Sequence, residues 1–147
     1  MSGFYVALGD SMSIDAYAGG AGRGAASLLF RNRDVDFPDW SGRDLAGSGF
    51  TAQMLAFDGA TSADVVREQL PMVTGNPTLV TITMGGNDLM TVYGDTAAAR
   101  AAVDVVVAAA EAVLRRLPPG AHRRVVVSTV YDPSDGTPNV VLSFDQT

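Results

Sequence analysis

The chain has 147 residues, a net charge of −6, one histidine and no cysteine. This length suits a single domain of the usual roughly 100–200 residues, and a hydrophobic fraction of 47% is too high for a disordered segment and sufficient for a buried core. The ten cations are scattered arginines, which argues against a nucleic-acid partner, while the cysteine and histidine counts exclude disulfides, thiolate catalysis and multi-histidine metal centres.

Short apolar runs that end in Gly, Asp, Asn or Ser alternate with helical patterns, which indicates a parallel α/β sheet. The first strand is predicted over residues 4–8, and a second, weaker strand over residues 54–57. Residues 16–50 between them are rich in Gly and Asp and contain one short predicted helix, residues 25–31. We interpret this segment as an excursion over the edge of the sheet.

The second half of the chain continues the alternation with two helices and two strands. The predicted elements are a helix over residues 63–70, a strand over 79–84, a helix over 97–117 and a strand over 124–130. Thr61 or Ser62 is expected to cap the first helix, and the Pro-Pro-Gly sequence at residues 118–120 to end the second. A turn at residues 132–136 and an apolar tail at 140–144 follow, and we interpret residues 1–147 as a single domain.

The sequence contains no recognisable targeting or membrane-spanning segment. Its first residues lack a basic region, and the apolar run stops at Gly9, which is too short for a signal peptide. The apolar stretch at residues 97–117 is interrupted by Arg100, Asp104 and Glu111, so it does not suit a membrane span. These features favour a cytoplasmic location.

Polar clusters follow the first three predicted strands. They are Asp10, Ser11 and Ser13 after the first, Asp58, Gly59 and Thr61 after the second, and Gly86, Asn87 and Asp88 after the third. In a doubly wound sheet, ligands bind outside the carboxyl ends of the strands, so the three clusters are expected at one rim. Each cluster alone is typical of an ordinary turn.

Taken together, the clusters resemble the SGNH or GDSL hydrolases, a family of esterases and lipases. Gly-Asp-Ser-x-Ser at residues 9–13, Gly-x-Thr-Ser at 59–62 and Gly-Gly-Asn-Asp at 85–88 are similar to blocks I, II and III of that family, in the same order. The resemblance extends over residues 4–135, with residues 16–50 less recognisable. It implies a three-layer α/β/α sandwich with a flavodoxin-like doubly wound parallel sheet, no metal or organic cofactor, and a small acyl ester as substrate.

The resemblance also implies a role for individual residues. Ser11 would be the nucleophile, and its backbone N–H, the backbone N–H of Gly59 and the side-chain amide of Asn87 would form the oxyanion hole, with Asp10 and Asp88 in support. A serine hydroxyl needs an adjacent base to become a good nucleophile. A glycine lets the backbone approach the oxyanion closely, and loss of one oxyanion donor typically slows catalysis about 100- to 1,000-fold.

The fourth block of the family, Asp-x-x-His, is not found in this sequence. The single histidine, His122, has Pro119 three residues before it and lies at the start of the fourth predicted strand, about 26 Å from the end of that strand at roughly 3.3 Å per residue. Either the chain is the N-terminal part of a longer hydrolase whose remainder or a second chain supplies the base, or it is a complete protein without one. We favour the first, because the fold would need a fifth strand and a closing helix after residues 132–136.

Two hypotheses from other classes remain. A magnesium-dependent phosphoryl-transfer or receiver-like domain would use Asp10, Asp58 and Asp88 as hard oxygen ligands, although the chain has no lysine to neutralise a phosphoryl group. A non-catalytic module would hold an acyl or glycan ligand at the same rim. Trp40 is interpreted as an anchor of the long excursion in preference to a lid over the substrate.

Overall fold

The computed structural model describes residues 2–117, 120 and 122–130. Its sheet has four strands, β1 (Phe4–Gly9), β2 (Thr51–Met54), β3 (Leu79–Thr83) and β4 (Arg124–Val127). All neighbours are parallel and the spatial order is β2-β1-β3-β4. This matches the first four strands of the flavodoxin-like order, and it places the topological switch point between β1 and β3. The predicted α/β class and doubly wound parallel sheet are confirmed.

The helices connect the strands as crossovers. They are α1 (Ala25–Phe30), α2 (Ser62–Asp64, continuing as a π-helical turn Val65–Gln69 and a 3-10 turn Leu70–Met72), α3 (Gly86–Met90) and α4 (Thr96–Arg116), with a further 3-10 turn at Pro38–Trp40. Thr61 caps α2 in a reciprocal capping box with Asp64, as the sequence predicts for this position. None of the helices in the described ranges is long and apolar enough to cross a membrane.

Side chains of the central strand alternate between the two faces of the sheet and so define two layers of core. Val6 and Leu8 of β1 pack with residues of α2 and α4 on one face, including Val113. Tyr5 and Ala7 pack with α1 and the excursion on the other face. Because helices cover both faces, the domain has the predicted three-layer α/β/α arrangement.

Both ends of β2 differ from the sequence prediction. β2 pairs Thr51–Met54 with Phe4–Ala7, whereas the sequence predicted residues 54–57. The apolar residues that gave that prediction belong to the connection after the strand: the N–H groups of Leu55 and Ala56 both converge on the carbonyl of Ala7, at 2.9 and 3.2 Å. Since β2 is a half-exposed edge strand, its own residues lack the apolar signature of a buried strand.

The other differences concern where strands end and where helices begin or end. β4 ends at Val127, three residues before the predicted end, and β3 ends at Thr83, one residue early. The cluster at residues 85–88, predicted as a turn, begins the short helix α3 behind Gly85, whose φ of 107° is readily accessible only to glycine. α4 ends at Arg116, one residue before the predicted end, while residues 118 and 119, the turn at 132–136 and the tail at 140–144 lie outside the described residues.

Candidate active site

The turn after β1 carries the candidate nucleophile and is held against β3. The backbone N–H of Asp10 donates to the carbonyl of Thr83 at 3.0 Å and to its hydroxyl at 3.1 Å. The same hydroxyl contacts the Ser13 hydroxyl at 2.9 Å. The buried carboxylate of Asp10 accepts from the N–H of Met12 at 3.0 Å, bridging over Ser11. These bonds fix both flanks of Ser11, and the backbone and side chain of Asp10 both take part in them.

Ser11 itself is only partly buried, and its hydroxyl makes no hydrogen bond with any of the described residues. Its two flanking residues are anchored while its own side chain is free to reach solvent. This combination of a fixed backbone and an unengaged hydroxyl suits a nucleophile that must rotate towards a substrate carbonyl.

The candidate oxyanion donors are connected by hydrogen bonds between the second and third clusters. The side-chain amide of Asn87 donates to the carbonyl of Ala60 at 2.8 Å, directly after Gly59. This leaves the second N–H of the amide for another acceptor. Gly59 is exposed and has a φ of 74°, and a Cβ there would meet no atom within 4 Å. Glycine is therefore required at position 59 by its backbone conformation, not by a close neighbour.

Asp88 reinforces the same connection. Its carboxylate accepts from the backbone N–H of Ser62 at 2.9 Å and from the Ser62 hydroxyl at 2.6 Å. Since Ser62 is fully buried at the first turn of α2, the carboxylate joins α3 to the amino end of α2, where a negative charge is favourable. The supporting role in catalysis that the sequence assigns to Asp88 stays a prediction.

Sequence reasoning missed Gln69, which reaches the nucleophile turn from the end of the π-helical turn. Its Oε1 accepts from the N–H of Gly9 at 2.7 Å, and its Nε2 donates to the carbonyl of the same residue at 2.8 Å. The side chain is 2% exposed. A polar residue between Val65 and Leu70 on the apolar face of α2 is the sequence signal that could have drawn attention to it.

His122 lies at the amino ends of the strands, whereas the rim is at their carboxyl ends. β4 begins at Arg124, which pairs with Leu79 at the amino end of β3, and His122 precedes it in an exposed turn. The candidate site lies beyond Thr83, at the carboxyl end of β3. This placement leaves His122 without access to Ser11.

The aspartates of the magnesium hypothesis are not brought together. Asp58 accepts a hydrogen bond from the hydroxyl of Tyr17 at 2.7 Å, and this bond raises the pKa of the phenol. Asp10 and Asp88 are occupied by Met12 and Ser62, as described above. Within residues 2–117, 120 and 122–130 there is no group of three acidic or histidine side chains placed to hold a metal ion.

Two cavities bear on substrate access. One, of about 240 Å³, lies beside the nucleophile turn and is lined mainly by apolar atoms, among residues that include Met12, Met84 and Val130. The other, of about 280 Å³, lies within the excursion, between α1 and residues 37–44. Its lining includes Phe37 and Trp40 and shares no residue with the rim. Trp40 is 61% exposed, so its predicted role as an anchor of the loop remains a prediction.

Comparison with known proteins adds family information to this geometry. The sequence model of the GDSL-like Lipase/Acylhydrolase family matches residues 7–143. No curated protein matches the sequence significantly.

Similar solved structures include an extracellular lipase from Streptomyces rimosus (26% identity, TM-score 0.48) and a phospholipase A1 from Streptomyces albidoflavus (27% identity, TM-score 0.46). An acetyl xylan esterase from Geobacillus stearothermophilus has 14% identity and a TM-score of 0.47. Each comparison covers 85% of this chain and 58% of the other. The chain thus spans a little over half the length of these enzymes. Since one of them is extracellular, the cytoplasmic location of this chain stays a prediction.

Proposed function

We propose that this chain, which belongs to the GDSL-like lipase/acylhydrolase family, provides the nucleophile and the oxyanion hole for hydrolysis of carboxylic acyl esters. The observation that carries the proposal is the bonding of the three clusters at one rim. Asn87 is bonded to Ala60 next to Gly59, and the turn around Ser11 is bonded to the end of β3. A small acyl ester is the substrate class that this arrangement suits.

In the proposed reaction, the Ser11 oxygen attacks the ester carbonyl carbon, and its proton passes to a general base. Negative charge develops on the carbonyl oxygen, which accepts hydrogen bonds from the N–H groups of Ser11 and Gly59 and from the Asn87 amide. Collapse of this intermediate releases the alcohol, protonated by the base, and leaves an acyl-serine. Water then attacks the acyl-serine by the same steps and regenerates Ser11. No metal or organic cofactor is needed in this scheme.

No residue near Ser11 in the described part of the chain is assigned as the general base. His122 is the only histidine of the sequence and lies at the amino ends of the strands. We assign the base to a further segment or a second chain, in line with the first of the two sequence-based explanations. Loss of a triad member commonly costs on the order of 10⁴- to 10⁶-fold in rate, so the 147 residues alone are expected to hydrolyse p-nitrophenyl acetate weakly or not at all.

Chemical rescue tests the proposal directly. A fluorophosphonate should add to Ser11 slowly in the chain alone and faster when imidazole supplies the base, with the adduct located by mass spectrometry of peptides. Ser11→Ala should abolish the adduct, and Ser2→Ala, at an exposed serine, is the matched control.

Two results would contradict this. Strong turnover of p-nitrophenyl acetate without imidazole, lost in Ser11→Ala, would show that the chain already contains a base. Absence of any Ser11 adduct, combined with saturable binding of an acyl ester, would favour the non-catalytic module.

A further inference from the structure

The backbone of Gly9 lies where the sheet stops on the β2 side. The β1–β2 register ends at Ala7, opposite Met54. The next peptide groups on that side belong to Gly9, and the connection after β2 provides the N–H of Phe57, at 3.2 Å from the Gly9 carbonyl. Within the described part of the chain no main-chain carbonyl accepts from the N–H of Gly9, and a buried unpaired N–H is costly.

The side chain of Gln69 provides the hydrogen bonds that a longer β2 would provide to Gly9. A primary amide offers one carbonyl acceptor and N–H donors, and here both ends bond to one residue, at 2.7 and 2.8 Å in a buried environment. The side chain thus continues the hydrogen-bond ladder of β1 by one residue. Because Ser11 is only two residues further on, the direction of the chain entering the nucleophile turn depends on this pair of bonds.

The helix that carries Gln69 is fixed at its other end by the candidate oxyanion segments. Ser62 is bonded to Asp88, and Thr61 caps the helix two residues after Gly59. The π-helical turn Val65–Gln69, with the N–H of Leu70 donating to Val65, widens the helix between these ends. Such π-turns occur frequently at functional sites, where they redirect a side chain. α2 therefore links all three clusters mechanically.

We infer that Gln69 is a positioning residue for the proposed reaction: through Gly9 it sets the placement of Ser11 relative to the donors at Gly59 and Asn87. The inference rests on the proposed function of Ser11. It extends that function to a side chain 60 positions away in sequence from the backbone that it holds. A displacement of about 1 Å at a reacting group can cost about 100-fold in rate.

The experiment measures fluorophosphonate addition to Ser11 in the full chain with imidazole present, in parallel with urea unfolding. Gln69→Met keeps the side-chain length and removes both hydrogen bonds. The matched control is Gln53→Met: Gln53 also bonds backbone at both ends, to Met72 and Thr74, but it is only half-buried, in the edge strand β2. We expect addition to slow about 10- to 100-fold in folded Gln69→Met, and to stay within about twofold of wild type in Gln53→Met.

Gln69→Glu supplies a readout that a merely structural role would not move. The ionised carboxylate accepts from the Gly9 N–H but faces the Gly9 carbonyl without a donor, whereas the protonated acid restores both bonds. Burial raises the pKa of such a carboxyl. The addition rate of Gln69→Glu relative to wild type should therefore recover as the pH falls from about 8 to about 5, and this test holds even if Gln69→Met fails to fold.

Wild-type addition rates in folded Gln69→Met, or a Gln69→Glu profile parallel to wild type at every pH, would overturn the inference. Failure of the proposed function gives a different pattern, with no Ser11 adduct in wild type. In that case, amide hydrogen exchange at Ser11 and Met12 decides the point: exchange at least about tenfold faster in Gln69→Met than in Gln53→Met supports the positioning of the turn, and equal exchange overturns it.

Discussion

The rim of the sheet and its outer side at β4 are built in opposite ways. At the rim, polar side chains from distant parts of the chain bond to one another and to backbone, with Gln69 and Ser62 almost fully buried. On the outer side, the apolar side chain of Val126 in β4 is 54% exposed. The same sheet therefore has one densely bonded region and one that presents apolar surface.

The register explains which face is involved. Val126 pairs with Thr81, so both lie on the face that α1 covers over β1 and β2. Over β3 and β4, the described residues provide no helix on this face. The candidate nucleophile and oxyanion segments are thus joined to one another by hydrogen bonds within residues 9–88. The rim is held by hydrogen bonds, whereas the outer side at β4 presents the exposed apolar side chain of Val126. Four predictions test this contrast.

The largest effect is expected in the core beneath the rim. Leu8→Ala should destabilise the fold by about 2–5 kcal/mol, because Leu8 is fully buried and its removal leaves a cavity. Val126→Ala, at a 54% exposed side chain on the outer side, should cost less than about 1 kcal/mol. Urea unfolding of both variants measures the difference, and equal losses would show that the outer side is as well packed as the core.

A methyl group at the start of the nucleophile turn should cost nearly as much. Gly9 has a φ of 130°, and a Cβ there would overlap the carbonyl and hydroxyl of Thr83. Gly9→Ala should therefore lose about 2–4 kcal/mol through strain and overpacking. Gly75→Ala, with a φ of 62° and open space around its Cβ, isolates the conformational part, near 1 kcal/mol. Similar values for both variants would show that Thr83 can move aside.

The link between α2 and α3 should give a smaller loss. Asp88→Asn replaces a carboxylate that accepts two hydrogen bonds from Ser62 by an amide that can accept only at one end, at a cost of about 1–2 kcal/mol. Asp95→Asn is the control, since Asp95 is an exposed helix cap and asparagine caps equally well. Thermal unfolding should separate the two, and coincident curves would exclude a structural link through Asp88.

The smallest effect concerns acid stability at the α2 cap. The backbone N–H and then the hydroxyl of Thr61 lower the pKa of Asp64 from its ordinary value near 3.8. A lowered pKa stabilises the fold above the unfolded-state value, and this contribution is lost as the pH falls through the folded-state value. The stability difference between wild type and Asp64→Asn should shrink between pH 6 and pH 3 in urea titrations. A constant difference would contradict this.

Local patterns in the sequence predicted the strands that are buried on both faces and the helix caps. β1 and β3 appear as apolar runs, and Thr61 precedes its helix in a capping sequence, so these elements have local signatures. β2 was displaced because an edge strand has little apolar signal of its own. The positions of Ser11, Gly59 and Asn87 at one rim follow from topology, which the alternation of elements predicts.

Gln69 and the occupied state of Asp88 could not be predicted in the same way. Both depend on bonds between residues far apart in sequence: 60 positions for Gln69 with Gly9, and 26 for Asp88 with Ser62. No periodicity or spacing encodes such pairs, because the geometry that joins them exists only after the crossovers have formed. The sequence signal for the Gln69–Gly9 pair is a polar residue on the apolar face of a helix, at position 69.

The turn that carries Ser11 is fixed by Thr83, 73 positions later than Asp10, and this has a consequence for synthesis. A chain growing on the ribosome exposes the serine long before Gln69, Thr83 or Asp88 has been made. Loop closure over such separations is slow compared with local helix formation. The turn around Ser11 can therefore take up its final place only after the third strand has been made.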